Sequence, residues 1–120
     1  MALKDFIHRL TASEAELSRE NLDRFCAVQA GVTRIANLVP RAEAVAVGEI
    51  TSLRIVPRPN GTTWLEATIT DGTGSLVAMW TGRRKIAGIK PGRRLVVRGR
   101  GTPTGPGGRL LIYNPSYELL

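Results

Sequence analysis

The 120-residue chain contains one cysteine, Cys26, and one histidine, His8. A single thiol excludes an internal disulfide, and a single histidine leaves almost nothing from which to build a zinc site. No uncharged apolar run approaches the roughly 20 residues that a membrane-spanning helix needs. The opening Met1-Ala2-Leu3-Lys4-Asp5 brings in charge too early for a signal-peptide core. Acid is missing over a long stretch: from Gly72 to Tyr117 there are nine basic residues and no Asp or Glu. These absences predict a cytoplasmic domain with no disulfide, metal, cofactor or membrane attachment. What is present is 42% hydrophobic and 22% charged residues, which excludes a disordered tail. The length gives room for one domain and a small appendage.

The charge is unevenly placed. Residues 1–40 hold five basic and five acidic residues and are neutral, whereas residues 41–120 hold twelve basic and five acidic residues and carry the whole net charge of +7. A field of one sign over a small domain attracts polyanions and speeds their capture. The plainer alternative is a solvated basic surface. Glycine and proline divide the chain at the same place, with one of each in residues 1–40 against twelve Gly and six Pro in residues 41–120. The expected division is a helical N-terminal extension over 1–40 and a set of short strands joined by turns over 41–120.

In the first part, Leu3, Phe6, Ile7 and Leu10 fall on one helical stripe. Thr11 with Glu14 and Ser13 with Glu16 form overlapping capping boxes for a second helix over about 13–29. That helix turns Leu22, Phe25 and Cys26 inward, with Leu17 and Val28 as further candidates, and Gly31 is placed to cap it. Cys26 lies in the stripe and reads as packing, not as a reactive thiol. After Pro40 the pattern becomes strands at 44–56, 62–70, 75–81, 93–100 and 109–113. Gly48 marks a bulge or bend in the first strand. Asp71-Gly72-Thr73-Gly74 is a tight hairpin turn, in which Asp71 supplies turn chemistry. Residues 82–92 hold a short helix or turn, 101–108 a glycine-rich loop, and 117–120 a stretch that packs back on the sheet.

Five strands with a helical element between the third and fourth is the plan of the OB fold, a Greek-key barrel. The residues that carry the match are Asp71-Gly72-Thr73-Gly74-Ser75-Leu76, Ile89-Lys90-Pro91-Gly92, Val97-Arg98-Gly99 and Tyr113-Asn114-Pro115-Ser116-Tyr117. Residues 41–118 resemble OB domains of the tRNA-anticodon-binder group, and especially the wedge domain of branched-DNA helicases. The whole chain also resembles small stand-alone OB-fold proteins of high-GC Gram-positive bacteria. The resemblance implies nucleic-acid binding, with DNA favoured over RNA. Glu66 stands where anticodon binders carry a stacking aromatic, which argues against anticodon recognition. No helicase motor is present, so no ATPase is implied.

An OB domain binds on its second and third strands, flanked by the loops after the first and fourth. Trp64 alternates away from Leu65, Ala67 and Ile69 and so belongs on the outer face, where it either stacks a base or covers a barrel end. Trp80 shares the face of Leu76 and Ala78 and is expected in the core. Tyr113 lies in a continuous apolar run that leaves its direction open, and Tyr117 reads as a clamp with its hydroxyl bonded to backbone. Arg58 and Arg109 flank the expected groove, with Arg54 just before the first loop. Arginine grips phosphate in a bidentate manner and also stacks on bases. Arg83-Arg84-Lys85 is either a solvated face or a second phosphate track, while Arg98 and Arg100 point outward from the fourth strand. No Gly-Lys-Ser/Thr follows the glycine-rich loop, which excludes a P-loop. The scattered acids and lone histidine provide no catalytic pair. The sequence therefore predicts a non-enzymatic binder of single-stranded or branched DNA. The alternative is a protein-interaction or self-association module that uses the N-terminal helices.

Overall fold

The computed structural model describes residues 16–105 and 108–120. The expected first helix with Leu3, Phe6, Ile7, His8 and Leu10, and the capping boxes at Thr11 to Glu16, lie outside the described residues or run into their boundary. A helix, α1, covers 16–27. Leu22 and Cys26 are buried and Phe25 half-buried, as the i, i+3, i+4 spacing requires. Leu17 and Val28 are 54% and 79% exposed, which corrects the expectation that they turn inward. At 100° per residue each lies well off the Leu22–Cys26 line. Gly31 (φ 75) sits in the turn beyond the helix and does not cap it.

The rest of the described chain is one curled sheet with the strands β1 (Glu43–Pro57), β2 (Thr63–Thr70), β3 (Ser75–Thr81), β4 (Arg94–Arg100), β5 (Thr102–Pro103), β6 (Leu110–Tyr113) and β7 (Ser116–Leu119). Their order is β5-β6-β3-β2-β1-β4-β7. All pairs are antiparallel except β3 with β6. The expected count of five strands is corrected to seven. The loop after β4 turns back through Gly101 into a two-residue strand on β6, and the C-terminal stretch adds a full strand to β4. Because β4 and β5 stand on opposite sides of the sheet order and only Gly101 separates them, the chain itself draws the sheet into a curl.

β1 serves both halves. Its first part, Glu43 to Glu49, pairs with β4, and its second, to Pro57, pairs with β2. Gly48 lies at the handover, where a Cβ would stand 2.6 Å from both the Ile69 side chain and the Thr70 carbonyl oxygen. The bulge itself falls between Ile50 and Ser52. Residues 82–92 contain turns and no helix. Gly88 and Gly92 both have positive φ, and Pro91 withholds an amide, so a helix cannot run through them. Ile86 and Ile89 from this segment nevertheless enter the interior.

Alternation sorts the strands cleanly. Ala46, Ile50, Leu65, Ala67, Ile69, Leu76, Ala78, Trp80, Leu95, Val97 and Ile112 fill the interior. Trp80 is thus in the core as expected, with Tyr117 edge-on against it at 5.7 Å between ring centroids. Tyr117 clamps through its ring; no bond from its hydroxyl occurs among the described residues. On the outside, α1 packs Leu22 and Cys26 against Val47 of β1, with Val96 of β4 alongside. Arg94 lies 4.5 Å over the Phe25 ring and reaches Glu49 at 3.3 Å, which pins the helix to this side of the sheet.

A second pin holds the segment after α1. Asp71, 1% exposed, accepts from the Thr73 amide and hydroxyl through one carboxylate oxygen and from the Ile35 amide and Arg34 Nε through the other. Arg34 also donates to the Asp71 carbonyl and to Asp23 of α1. Burial pushes the Asp71 pKa up, but the bonds from Thr73, Ile35 and Arg34 outweigh it and hold the carboxyl below its ordinary value. Asp71 therefore does supply turn chemistry and, in addition, ties the turn to α1 and its connecting segment.

Candidate nucleic-acid interface

The outward residues of β1, β2, β3 and β6 form a face on the outer side of the sheet, where α1 occupies a separate place over Val47 and Val96. Register places Arg54 opposite Glu66, Val56 opposite Trp64, Glu66 opposite Met79 and Met79 opposite Tyr113. Ladder neighbours on one face are side-chain neighbours. Trp64 and Tyr113 meet edge to face, with centroids 5.9 Å apart and planes at 85°. The Arg58 guanidinium lies 4.1 Å over the Trp64 ring. It arrives there because the β1–β2 loop folds tightly: the Arg58 amide donates to the Thr62 carbonyl and the Gly61 amide to the Arg58 carbonyl.

Asn114 sets the position of Tyr113. Its backbone is left-handed (φ 48), its amide donates to the Met79 carbonyl, and its side-chain oxygen accepts from the Thr81 amide and hydroxyl. The chain is thereby turned sharply just after Tyr113, whose ring is left 48% exposed beside Trp64. Met79, on the same face between Glu66 and Tyr113, is buried. The face is thus a sheet floor with two rings at right angles standing at one end.

The cations expected at the site divide. Arg54 is on the face but spends one edge of its guanidinium on Glu66, 3.0 Å away. Arg58 is on the ring. Arg83 and Arg84 are exposed in the segment after β3, and the Arg83 carbonyl accepts from the Thr63 hydroxyl, so this segment borders the Trp64 end. The other three come from the β4 side of the closed curl, where Gly99, between Arg98 and Arg100, meets Ile112 beside Tyr113. Arg98 and Arg100 project from β4 opposite Val45 and Glu43, at the far end of β1. Arg109 precedes β6 at the end of that strand remote from Tyr113. Strand alternation settled that Arg98 and Arg100 point outward, but not that β1 bends between them and Trp64. The sequence reading missed Met79 and Asn114. The left-handed preference of asparagine was a usable signal for the latter. Among the described residues, α1 lies over Val47 and Val96 on the same outer side of the sheet, and the Tyr113 ring stays half exposed.

No protein-family model matches the chain, nor does any curated protein sequence. Solved structures do. A structure of RecG bound to a three-way DNA junction superimposes on 74% of this chain with a TM-score of 0.60 and 20% identity. The NMR structure of a replication factor A related protein from Methanobacterium thermoautotrophicum covers 76% with a TM-score of 0.56 and 18% identity. The second OB-fold domain of replication protein A from Methanococcus maripaludis covers 73% with a TM-score of 0.52 and 20% identity. The fold is an OB fold. The match takes in 12% of the RecG chain but 92% and 93% of the other two, so this chain corresponds to a small part of RecG and to nearly the whole of each replication-protein domain. The likeness to a branched-DNA helicase wedge anticipated from the DGTG hairpin and the Tyr113–Tyr117 ending is met in the first of these. The replication-protein likeness was not anticipated.

Proposed function

We propose that this OB domain binds nucleic acid without catalysing a reaction, with single-stranded or branched DNA as the preferred ligand. The observation that carries the proposal is the stack of Arg58, Trp64 and Tyr113 on the open β1–β2–β3 face. Two rings at right angles offer base-stacking surfaces, each worth roughly 1–3 kcal/mol per base. A guanidinium parked on an indole is poised to leave for a phosphate or to sandwich a base against the ring. Arg83 and Arg84 border the same end and supply further phosphate contacts.

Glu66 shapes the path. It neutralises Arg54 in the middle of the face, so a phosphodiester chain is drawn along the loop margins at Arg58, Arg83 and Arg84 while its bases turn toward the rings. Binding through phosphates and π-faces carries little sequence preference. The preference for DNA rests on likeness to structures that concern a DNA junction and replication proteins.

The test is a fluorescence-anisotropy titration with single-stranded DNA, single-stranded RNA and duplex DNA at two salt concentrations. The reading expects affinity that falls steeply with salt and a loss of about tenfold or more for Trp64→Ala with Tyr113→Ala. Binding that ignores salt and both rings would turn the interpretation toward a protein-interaction module on the same scaffold.

A further inference from the structure

We infer that Glu66 gives the Trp64–Tyr113 face a base preference. Its free carboxylate oxygen accepts from the exocyclic amine of a stacked base, which favours cytosine over thymine or uracil in a single strand. The inference rests on the proposed binding of single strands to that face and adds to it a residue that reads a base edge. Phosphate and π-face contacts carry little preference, so a preference has to come from such an edge contact.

Four strands place four outward residues in one row. Arg54 of β1 stands opposite Glu66 of β2, Glu66 opposite Met79 of β3, and Met79 opposite Tyr113 of β6. With strands about 4.8 Å apart, Glu66 is about 10 Å from Tyr113 along the sheet. Trp64 lies two residues back on β2, about 7 Å away on the same side. The two rings meet across this corner, with centroids 5.9 Å apart. A base laid on either ring therefore brings its polar edge within reach of the Glu66 side chain. The neighbouring groups offer no comparable acceptor. Met79 is apolar and buried, Arg54 can only donate, and the Thr81 amide and hydroxyl are already bonded to Asn114. The Tyr113 hydroxyl both donates and accepts, so it does not discriminate.

The carboxylate is held with one oxygen spent and one free. Oε2 accepts from Arg54 Nη2 at 3.0 Å, and Oε1 accepts no bond among the described residues. The Glu66 side chain is 20% exposed and that of Arg54 70%, so the acid is fixed near the sheet while its cation faces solvent. An ion pair this open to water adds little to stability, so the fold alone does not call for an acid here. Arg54 offsets the repulsion that a lone carboxylate would exert on a phosphate chain, and what is left is a directed acceptor. A carboxylate takes an N–H from cytosine N4. Thymine and uracil present a carbonyl oxygen at the same ring position, which meets the carboxylate as one acceptor meets another. A bond to an ionised acceptor that one base makes and the other cannot is worth about tenfold in affinity.

The experiment titrates the full chain into labelled five-nucleotide strands of deoxycytidine and of deoxyuridine, read by fluorescence anisotropy. Neither base carries the thymine methyl, and at the reading position they differ as amine against carbonyl. The cytidine strand is expected to bind about tenfold tighter. In Glu66→Gln the amide donates to uracil O4 as readily as it accepts from the cytosine amine, so the preference should shrink to about twofold or less. The same change frees Arg54 for phosphate. The uridine strand should then bind tighter, and its slope of log affinity against log salt should steepen by about 0.7. Glu66→Ala, with neither donor nor acceptor, should reproduce both effects, and circular dichroism with thermal melting checks the fold. Equal affinity of the unmodified protein for the two strands, or a preference that survives both substitutions, overturns the role of Glu66. Trp64→Ala with Tyr113→Ala distinguishes that failure from a failure of the face. If it weakens both strands while the unmodified protein binds them equally, the face binds single strands and Glu66 does not read them. If it spares both strands, the face fails and the base preference with it.

Discussion

Removing the Asp71 carboxylate should be among the most damaging single changes to this domain. In Asp71→Ala the amides of Ile35 and Thr73, the Thr73 hydroxyl and Arg34 Nε all lose their acceptor at a site 1% exposed. Breaking a buried charged pair from one side costs about 3–5 kcal/mol. Thr73 is exposed and Arg34 keeps Asp23, so water and the second carboxylate recover part of that loss. A net cost of about 3 kcal/mol remains, a large share of the roughly 5–15 kcal/mol of a whole domain. Urea unfolding followed by tryptophan fluorescence reads it directly. With a slope of about 1–2 kcal/mol per molar, the midpoint should fall by about 1.5–3 M. The pH dependence supplies an independent check. Because the folded carboxyl sits below its ordinary value, its stabilisation is fully present above the unfolded pKa of about 3.9 and is lost as pH falls through the folded one. Asp71→Asn should therefore flatten the acid limb of the stability curve. A cost below about 1 kcal/mol for Asp71→Ala, together with an unchanged acid limb for Asp71→Asn, would refute the anchoring role.

Gly48→Ala forces a methyl group to 2.6 Å from the Thr70 carbonyl oxygen, a backbone atom that cannot swing aside, and should cost about 2 kcal/mol or more in chemical denaturation. Asn114→Ala removes the acceptor for Thr81 and leaves an alanine in a left-handed backbone. About 2 kcal/mol should be lost in thermal unfolding, with Asn114→Gly recovering roughly half, and oligonucleotide affinity should fall in parallel as Tyr113 loosens. Cys26 is buried, which together with the nearby Asp71 carboxylate pushes its thiol pKa up, so a disulfide reagent at about pH 8 should label the folded protein slowly and the urea-unfolded protein at once. Rapid labelling of the folded state would show that α1 does not stay on the sheet.

The parts of this fold that follow from short-range rules were readable from the residues. Period-two alternation in Leu65, Ala67 and Ile69 placed Trp64 outside, and the same rule in Leu76, Ala78 and Trp80 placed the second indole inside. Asp71-Gly72-Thr73-Gly74 announced its turn through side-chain chemistry. What escaped the reading depends on distant segments. Thr102–Pro103 and Ser116–Leu119 become strands only because β6 and β4 present open edges to them. Nothing local distinguishes them from loop. The apolar run Leu110 to Tyr113 has no alternation, so the direction of Tyr113 awaited its register against Met79. The reach of Asp71 to Arg34 spans 37 residues, and no local pattern carries it.

The acid-free stretch from Gly72 to Tyr117 looks in sequence like one basic block, yet folding separates its charge. Arg83 and Arg84 follow β3 to the end where Trp64 stands, because β2 and β3 are a tight hairpin and Thr81 lies opposite Trp64. Arg98 and Arg100 travel with β4, which pairs with the first half of β1 and with β7 and closes through Gly99 on Ile112, so they approach Tyr113 from another strand. The bend at Gly48 and the bulge before Ser52 let one strand serve both partners and so bring β4 round to β6. Net charge therefore predicts a polyanionic partner but not its geometry. The geometry comes from a glycine with no charge at all. A variant that straightened β1 would keep the +7 and should lose affinity for single-stranded DNA, read by fluorescence anisotropy, as β4 and its arginines part from the rings.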